Sequence, residues 1–78
     1  MPLQFYEQVE VLSCPTYPDR VGKLGHVLGR SYENDDPEAG QVVAYGVFFA
    51  DVEQVYSFDP HELRSTGEIA PRSMFYPA

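Results

Sequence analysis

Between Val21 and Arg30 the chain reads Val-Gly-Lys-Leu-Gly-His-Val-Leu-Gly-Arg, which sets glycines at 22, 25 and 29 in an apolar strand pattern. Glycine has no Cβ and accepts positive φ and sharp bends, and within a strand it marks a bulge or a barrel corner. The segment Val42-Val-Ala-Tyr-Gly-Val-Phe-Phe49 that follows is the strongest strand pattern in the sequence. Val43, Tyr45, Val47 and Phe49 share one face, with Val42, Ala44, Gly46 and Phe48 on the other. Both faces are apolar, as suits a central strand. Together the two segments predict the bent central hairpin of a small antiparallel β-barrel.

The rest of the chain supplies short strands around that hairpin. Gln4 to Leu12 predicts a first strand with Phe5, Val9 and Val11 inward, Tyr6, Gln8 and Glu10 outward, and Glu7 at the barrel mouth. Ser13 to Asp19 carries two prolines in four residues and reads as a loop. In the second strand, Gly25 to Tyr32, Val27 is the expected core residue, and His26, Leu28 and Arg30 point the opposite way. Ala50 to Glu53 is a hairpin turn, and Gln54 to Phe58 a fourth strand with Tyr56 and Phe58 inward. Asp59 as N-cap and Pro60 at the first helical position predict one helical turn that delivers Leu63 to the core. Arg64 to Ile69 closes the set, with a turn or bulge at Gly67.

The expected fold class is therefore all-β: a five-stranded SH3-like antiparallel barrel with one short helical turn before the last strand. It occupies residues 1–69 as a single domain. Residues 70–78 form a C-terminal tail, either mobile or laid on the barrel or a partner through Met74, Phe75 and Tyr76. An open β-sandwich and an oligonucleotide-binding barrel are the alternatives, the second usually needing more residues and a basic face.

Seventy-eight residues with 44% hydrophobic content suffice for one small core, since a chain of this size buries roughly 60% of its unfolded surface. A single cysteine, Cys14, excludes an internal disulfide and suits a reducing compartment. Met1 to Gln8 lacks the basic start and apolar run of a signal peptide. No apolar run approaches the ~20 residues that span a bilayer. A soluble cytoplasmic protein is expected. Twelve acids against five bases give a net charge of −7, which disfavours nucleic acid and anionic membranes as partners and suits either solubility alone or a basic protein.

Chemistry is sparse. His26 and His61 are the only side chains whose ordinary titration lies near neutrality, and nothing is spaced as a nucleophile elbow, a redox cysteine pair or a zinc-peptidase histidine pair. Cys14, His26 and His61 lack the local spacing of a metal site. The loop Glu33-Asn-Asp-Asp-Pro-Glu-Ala-Gly40 holds four carboxylates in eight residues. Asn34, Asp36 and Glu38 alternate as calcium ligands do, but Ala39 stands where the loop glycine belongs and Tyr45 where the bidentate glutamate belongs. The loop reads as a solvated hairpin. The glycines at 22, 25 and 29 lack the Lys-Ser/Thr element and helix of a phosphate loop, and no Ala-Leu-Tyr-Asp-Tyr-like element marks a polyproline groove. No catalysis, cofactor or metal is expected.

The order Phe5-x-x-x-Val9, Gly22-Lys-Leu-Gly-His-Val-Leu-Gly29, Tyr45-Gly-Val47, Tyr56-Ser-Phe58 and Glu62-Leu-x-x-Thr-Gly67 resembles the immunity protein 31 family of small bacterial proteins encoded beside polymorphic toxins. The resemblance spans residues 5 to 68 and rests on glycines and aromatics that determine a fold. It implies a non-catalytic inhibitor that binds and neutralises a cognate toxin, a basic toxin domain being the partner suited to the acidic charge. Tyr32, Glu33, Asp35, Asp36 and Glu38 are the expected partner-binding residues, carried by a monomer or weak dimer. The alternative is an SH3-like protein–protein interaction module or accessory subunit of a larger complex.

Overall fold

The computed structural model describes residues 3–35, 38 and 40–76. Five strands are formed: β1 (Glu7–Val11), β2 (Leu24–Tyr32), β3 (Val42–Phe49), β4 (Gln54–Phe58) and β5 (Leu63–Ile69). They pair antiparallel in a single sheet of order β4-β3-β2-β1-β5. Helical content among the described residues is confined to short 3-10 turns at Pro18–Arg20, Glu33–Asp35, Pro60–Glu62 and Arg72–Met74. The protein is all-β, and its pairing leaves an open sheet with β4 and β5 at its edges.

One face of the sheet holds the core. Val9, Val11, Val27, Val47, Phe49 and Phe58 are fully buried, joined by Cys14, Tyr45 and Leu63. Each large apolar side chain removed from water contributes about 1.5–3 kcal/mol. Phe49, Tyr56 and Phe58 meet edge-on, their ring centres 5.7 and 5.9 Å from that of Phe49, an arrangement aromatic quadrupoles favour. The Pro60–Glu62 turn precedes β5 because Glu62 Oε1 accepts the Asp59 amide at 2.8 Å and proline needs no donor there. Leu63 then enters the core.

Three face assignments made by strict alternation do not hold. Tyr6 adopts φ 70°, so the extended backbone begins at Glu7 rather than at Gln4. Phe5 falls outside the core, 44% exposed, and its ring lies under the Arg30 guanidinium at 4.6 Å. The second correction concerns β2, whose register against β3 shifts between Val27–Val47 and Gly29–Gly46. Leu28 is the extra residue of this bulge, and after it Arg30 stands opposite Tyr45. Directly opposed residues share a face, so Arg30 lies on the Tyr45 side rather than with His26. There it donates to the Tyr32 hydroxyl (3.4 Å) and to the Leu3 carbonyl, while the Leu3 amide donates to the Tyr45 hydroxyl at 2.9 Å. The third is Val43, 46% exposed near the start of β3, where a further register shift pairs Val42 with Tyr32 and Val42 packs against the core.

Gly25 is required for a reason other than φ. A Cβ placed there would lie 2.6 Å from Val47 Cγ1, 2.8 Å from the Phe48 carbonyl oxygen and 3.0 Å from Phe49 Cε1. A side chain at Gly29 would meet nothing within 4 Å. Gly25→Val therefore loses about 1–3 kcal/mol of stability through overpacking, whereas Gly29→Ala changes it by less than about 0.5 kcal/mol. Urea denaturation of the two variants measures this, and equal losses would contradict the close-approach account.

Candidate functional site

The acidic loop joins β2 to β3. Its base is closed by the Glu33 amide donating to the Gln41 carbonyl at 2.9 Å, and Asn34 turns the chain at φ 59°. Glu33, Asn34 and Glu38 are exposed. Tyr32 is half-buried, and its hydroxyl accepts from Arg30 Nη1 at 3.4 Å. Asp35 lies in the Glu33–Asp35 turn, and Asp36 lies outside the described residues. The loop thus presents Glu33 and Glu38 to solvent, with Tyr32 at its root rather than its tip.

A second cluster was not anticipated. Arg20, at the end of the Pro18–Arg20 turn, is 7% exposed, and its Nη1 lies 3.1 Å from both carboxylate oxygens of Asp51. Its guanidinium carbon stands 5.2 Å from the Phe49 ring centre and 5.8 Å from that of Tyr56. Tyr17 adds a ring 4.9 Å from Tyr56. The hydrogen bond that Arg20 donates to the Asp51 carboxylate holds its pKa above the ordinary value despite the cost of burial. This pair ties the β1–β2 loop to the β3–β4 turn. Nothing local reveals it, since Arg20 and Asp51 are 31 residues apart; an arginine ending a proline-rich loop is the only hint.

All four arginines are in fact engaged within the chain. Arg20 holds Asp51, Arg30 holds Leu3 and Tyr32, Arg64 pairs with Glu10, and Arg72 lies 5.1 Å over the Tyr76 ring. Glu33, Glu38, Glu53 and Asp59 meanwhile are exposed. Exposed carboxylates accordingly stand at the β2–β3 loop and at both ends of β4, besides Asp19 and Glu68. Among the described residues, no group of three or more His, Cys, Asp or Glu side chains is placed to hold a metal ion, and no helix is long and apolar enough to cross a membrane.

The sheet's other face carries the C-terminal segment. The Ala70 amide donates to the Tyr6 carbonyl at 2.9 Å, and the Arg72–Met74 turn brings Phe75 down onto the strands. Phe75 stacks on Tyr6 at 5.6 Å and 14°, and contacts His26 at 5.2 Å and Phe48 at 6.0 Å. Tyr76 meets Tyr6 edge-on at 6.4 Å. Pro77 and Ala78 lie outside the described residues.

Compared with protein-family models, curated proteins and solved structures, the chain matches none of them.

Burial under Phe75 pushes the His26 imidazole below its ordinary value, and the nearby Glu68 carboxylate opposes that shift without reversing it. The unfolded chain therefore takes up this proton first, near pH 6.5. The His26 contribution to stability is complete above that value and declines as the pH falls below it. Thermal denaturation from about pH 7 to about pH 5 shows the decline, and His26→Gln reduces its slope. Phe75→Ala, which uncovers the ring, moves the His26 NMR titration upward; an unmoved titration would exclude Phe75 as the cover.

Proposed function

We propose that this chain is a non-catalytic immunity protein, binding and neutralising a basic toxin domain with a curled, SH3-like barrel as scaffold. The observation that carries the reading is the separation of charge: a chain of net charge −7 whose arginines are each engaged internally while carboxylates are exposed. Such a surface attracts a basic protein at long range and repels nucleic acid and anionic lipid. The resemblance of Gly22 to Gly29 and of Glu62 to Gly67 to immunity protein 31 supports the same class. The SH3-like description is supported by the strand order and by the 3-10 turn immediately before β5.

The proposed role of the β2–β3 loop is to steer. Exposed carboxylates at the rim of an interface act mostly on association rate, because their field extends over a Debye length of about 8–10 Å at physiological salt. Tyr32, Glu33, Asp35, Asp36 and Glu38 are assigned to this role. A second reading, an interaction module or accessory subunit of a larger complex, is favoured by the exposed apolar side chains Leu24, Val55 and Ile69, each more than half exposed.

Growth rescue separates the two. Co-expression with the toxic C-terminal region of a protein encoded beside this gene restores growth if the chain is its inhibitor; a toxin that kills equally in its presence removes the immunity reading. With a rescued toxin in hand, reversing the charge at Asp35, Asp36 and Glu38 together lowers the association rate about tenfold at low salt. The difference shrinks as salt is raised. An unchanged rate would place the contact elsewhere.

A further inference from the structure

An edge strand presents an open row of backbone donors and acceptors, and folded proteins usually guard it with charge, proline or a bulge. β5 is guarded in this way. Arg64 and Glu68 lie on it, Gly67 takes φ 87°, and its register against β1 shifts between Glu7 and Val9. β4 is not. Gln54-Val-Tyr-Ser-Phe58 contains no charge and no proline, and it pairs with β3 residue by residue without a shift. Among the described residues, β3 is its only strand neighbour. Val55 is 53% exposed and extends a cross-strand row that runs through Phe48 and His26 to Gln8.

We propose that the free edge of β4 is a docking site where an extended segment of a basic protein partner adds to the sheet, an apolar side chain beside Val55 and lysine or arginine at each end. This rests on the reading of the chain as a binder of a basic protein, and it names a surface distinct from the β2–β3 loop. Main-chain hydrogen bonds supply the attraction in strand addition, and the flanking side chains choose the partner.

Charge decides who the occupant is. β4 is bounded by Glu53 on one side and Asp59 on the other, both exposed. Asp51 nearby is already held by Arg20. A second copy, pairing all five residues of β4 antiparallel about Tyr56, would set Val55 against Ser57. At each end it would oppose Glu53 of one copy to Asp59 of the other. Like charges directly opposite are destabilising, and the −7 carried by each copy adds repulsion at longer range. A strand with basic ends turns both contacts attractive. The uncharged middle of β4 matches an uncharged, alternating segment between those ends.

The test uses the full chain, isotope-labelled, with a synthetic peptide of alternating valine and threonine bracketed by lysine pairs. Its binding is expected to move the amide resonances of Gln54–Phe58 and slow their hydrogen exchange. N-methylation of alternate peptide residues, which removes donors without touching the protein, weakens binding at least about tenfold, as does Val55→Lys. Bracketing the peptide with glutamates abolishes it. No binding, shifts centred away from β4, indifference to N-methylation, or equal binding of the glutamate-bracketed peptide would each overturn the proposal. So would a concentration-dependent dimer of the chain alone that Val55→Lys dissociates, since the edge would then belong to a second copy. The measurement contains no toxin, so its outcome is independent of growth rescue.

Discussion

Between Val27 and Gly29 the second strand uses one more residue than the third, and the consequences reach most of the molecule. Before the bulge, Val27 faces Val47 in the core and His26 faces Phe48 on the opposite side. After it, Arg30 arrives on the side of Tyr45, where its guanidinium meets the Leu3 carbonyl, the Tyr32 hydroxyl and the Phe5 ring. A strand that kept its alternation would have placed Arg30 beside His26 and left Tyr45 and Leu3 without that neighbour. The bulge also determines Tyr32, whose hydroxyl is held from within, so that the acidic loop begins from an anchored root. Gly25, two residues before the core valine, complements this: it lets β2 lie so close to Val47 and Phe49 that no side chain fits between them. Close approach at one end and an extra residue at the other make a short strand serve two surroundings.

How much of this is legible in the sequence follows from which forces act locally. The five strands and the turn at Pro60 could be read because period-two alternation and proline–aspartate capping are properties of neighbouring residues. β3 is the plainest, since a strand with apolar residues on both faces needs cover on both, which the core supplies on one side and Phe75 on the other. Phe5 and Arg30 were misassigned for one shared reason: counting by twos presumes an unbroken extended backbone. The positive φ of Tyr6 and the bulge at Leu28 each reverse the parity of what lies beyond them. Tyrosine carries no signal for a left-handed conformation, and the glycine at 29 announced an irregularity without saying which neighbour would be the extra residue. The Arg20–Asp51 pair was illegible because it depends on two loops meeting, and loop meeting is decided by the whole sheet. At the acidic loop, composition revealed the carboxylates, while the inward hold on Tyr32 required the bulge to be known first.

The arginines decide how the net charge of −7 is distributed, because each is engaged within the chain. Arg20 lies beneath Tyr56 and against Phe49 and donates to the Asp51 carboxylate, which balances its charge, and the aromatic faces add attraction to the same cation. Arg64 is matched by Glu10 across the β1–β5 ladder. Each such pair matches one cation to one carboxylate, Arg20 in the interior and Arg64 at the surface. Exposed carboxylates stand at the loop after β2 and at the two ends of β4, with Asp19 before β2 and Glu68 on β5 exposed as well. The β2–β3 loop and the ends of β4 flank the strands β3 and β4, so a basic body approaching those strands meets carboxylates at both.

That distribution also bears on why an unguarded edge is tolerable. An uncharged strand at the border of a sheet ordinarily invites pairing with its own kind, and in a chain of few residues a charge within the strand would be the simplest guard. Here the guard stands outside the strand. Glu53, itself in a left-handed conformation at φ 53°, and Asp59, at the entry to the Pro60–Glu62 turn, bracket β4 without interrupting its pleat. In self-pairing they oppose one another; in pairing with a basic segment they attract. Carboxylates placed at the ends rather than within the strand leave the backbone row regular enough to accept another chain. Their sign makes that acceptance conditional on the other chain's charge. Specificity of this kind arises from what the edge repels as much as from what it attracts.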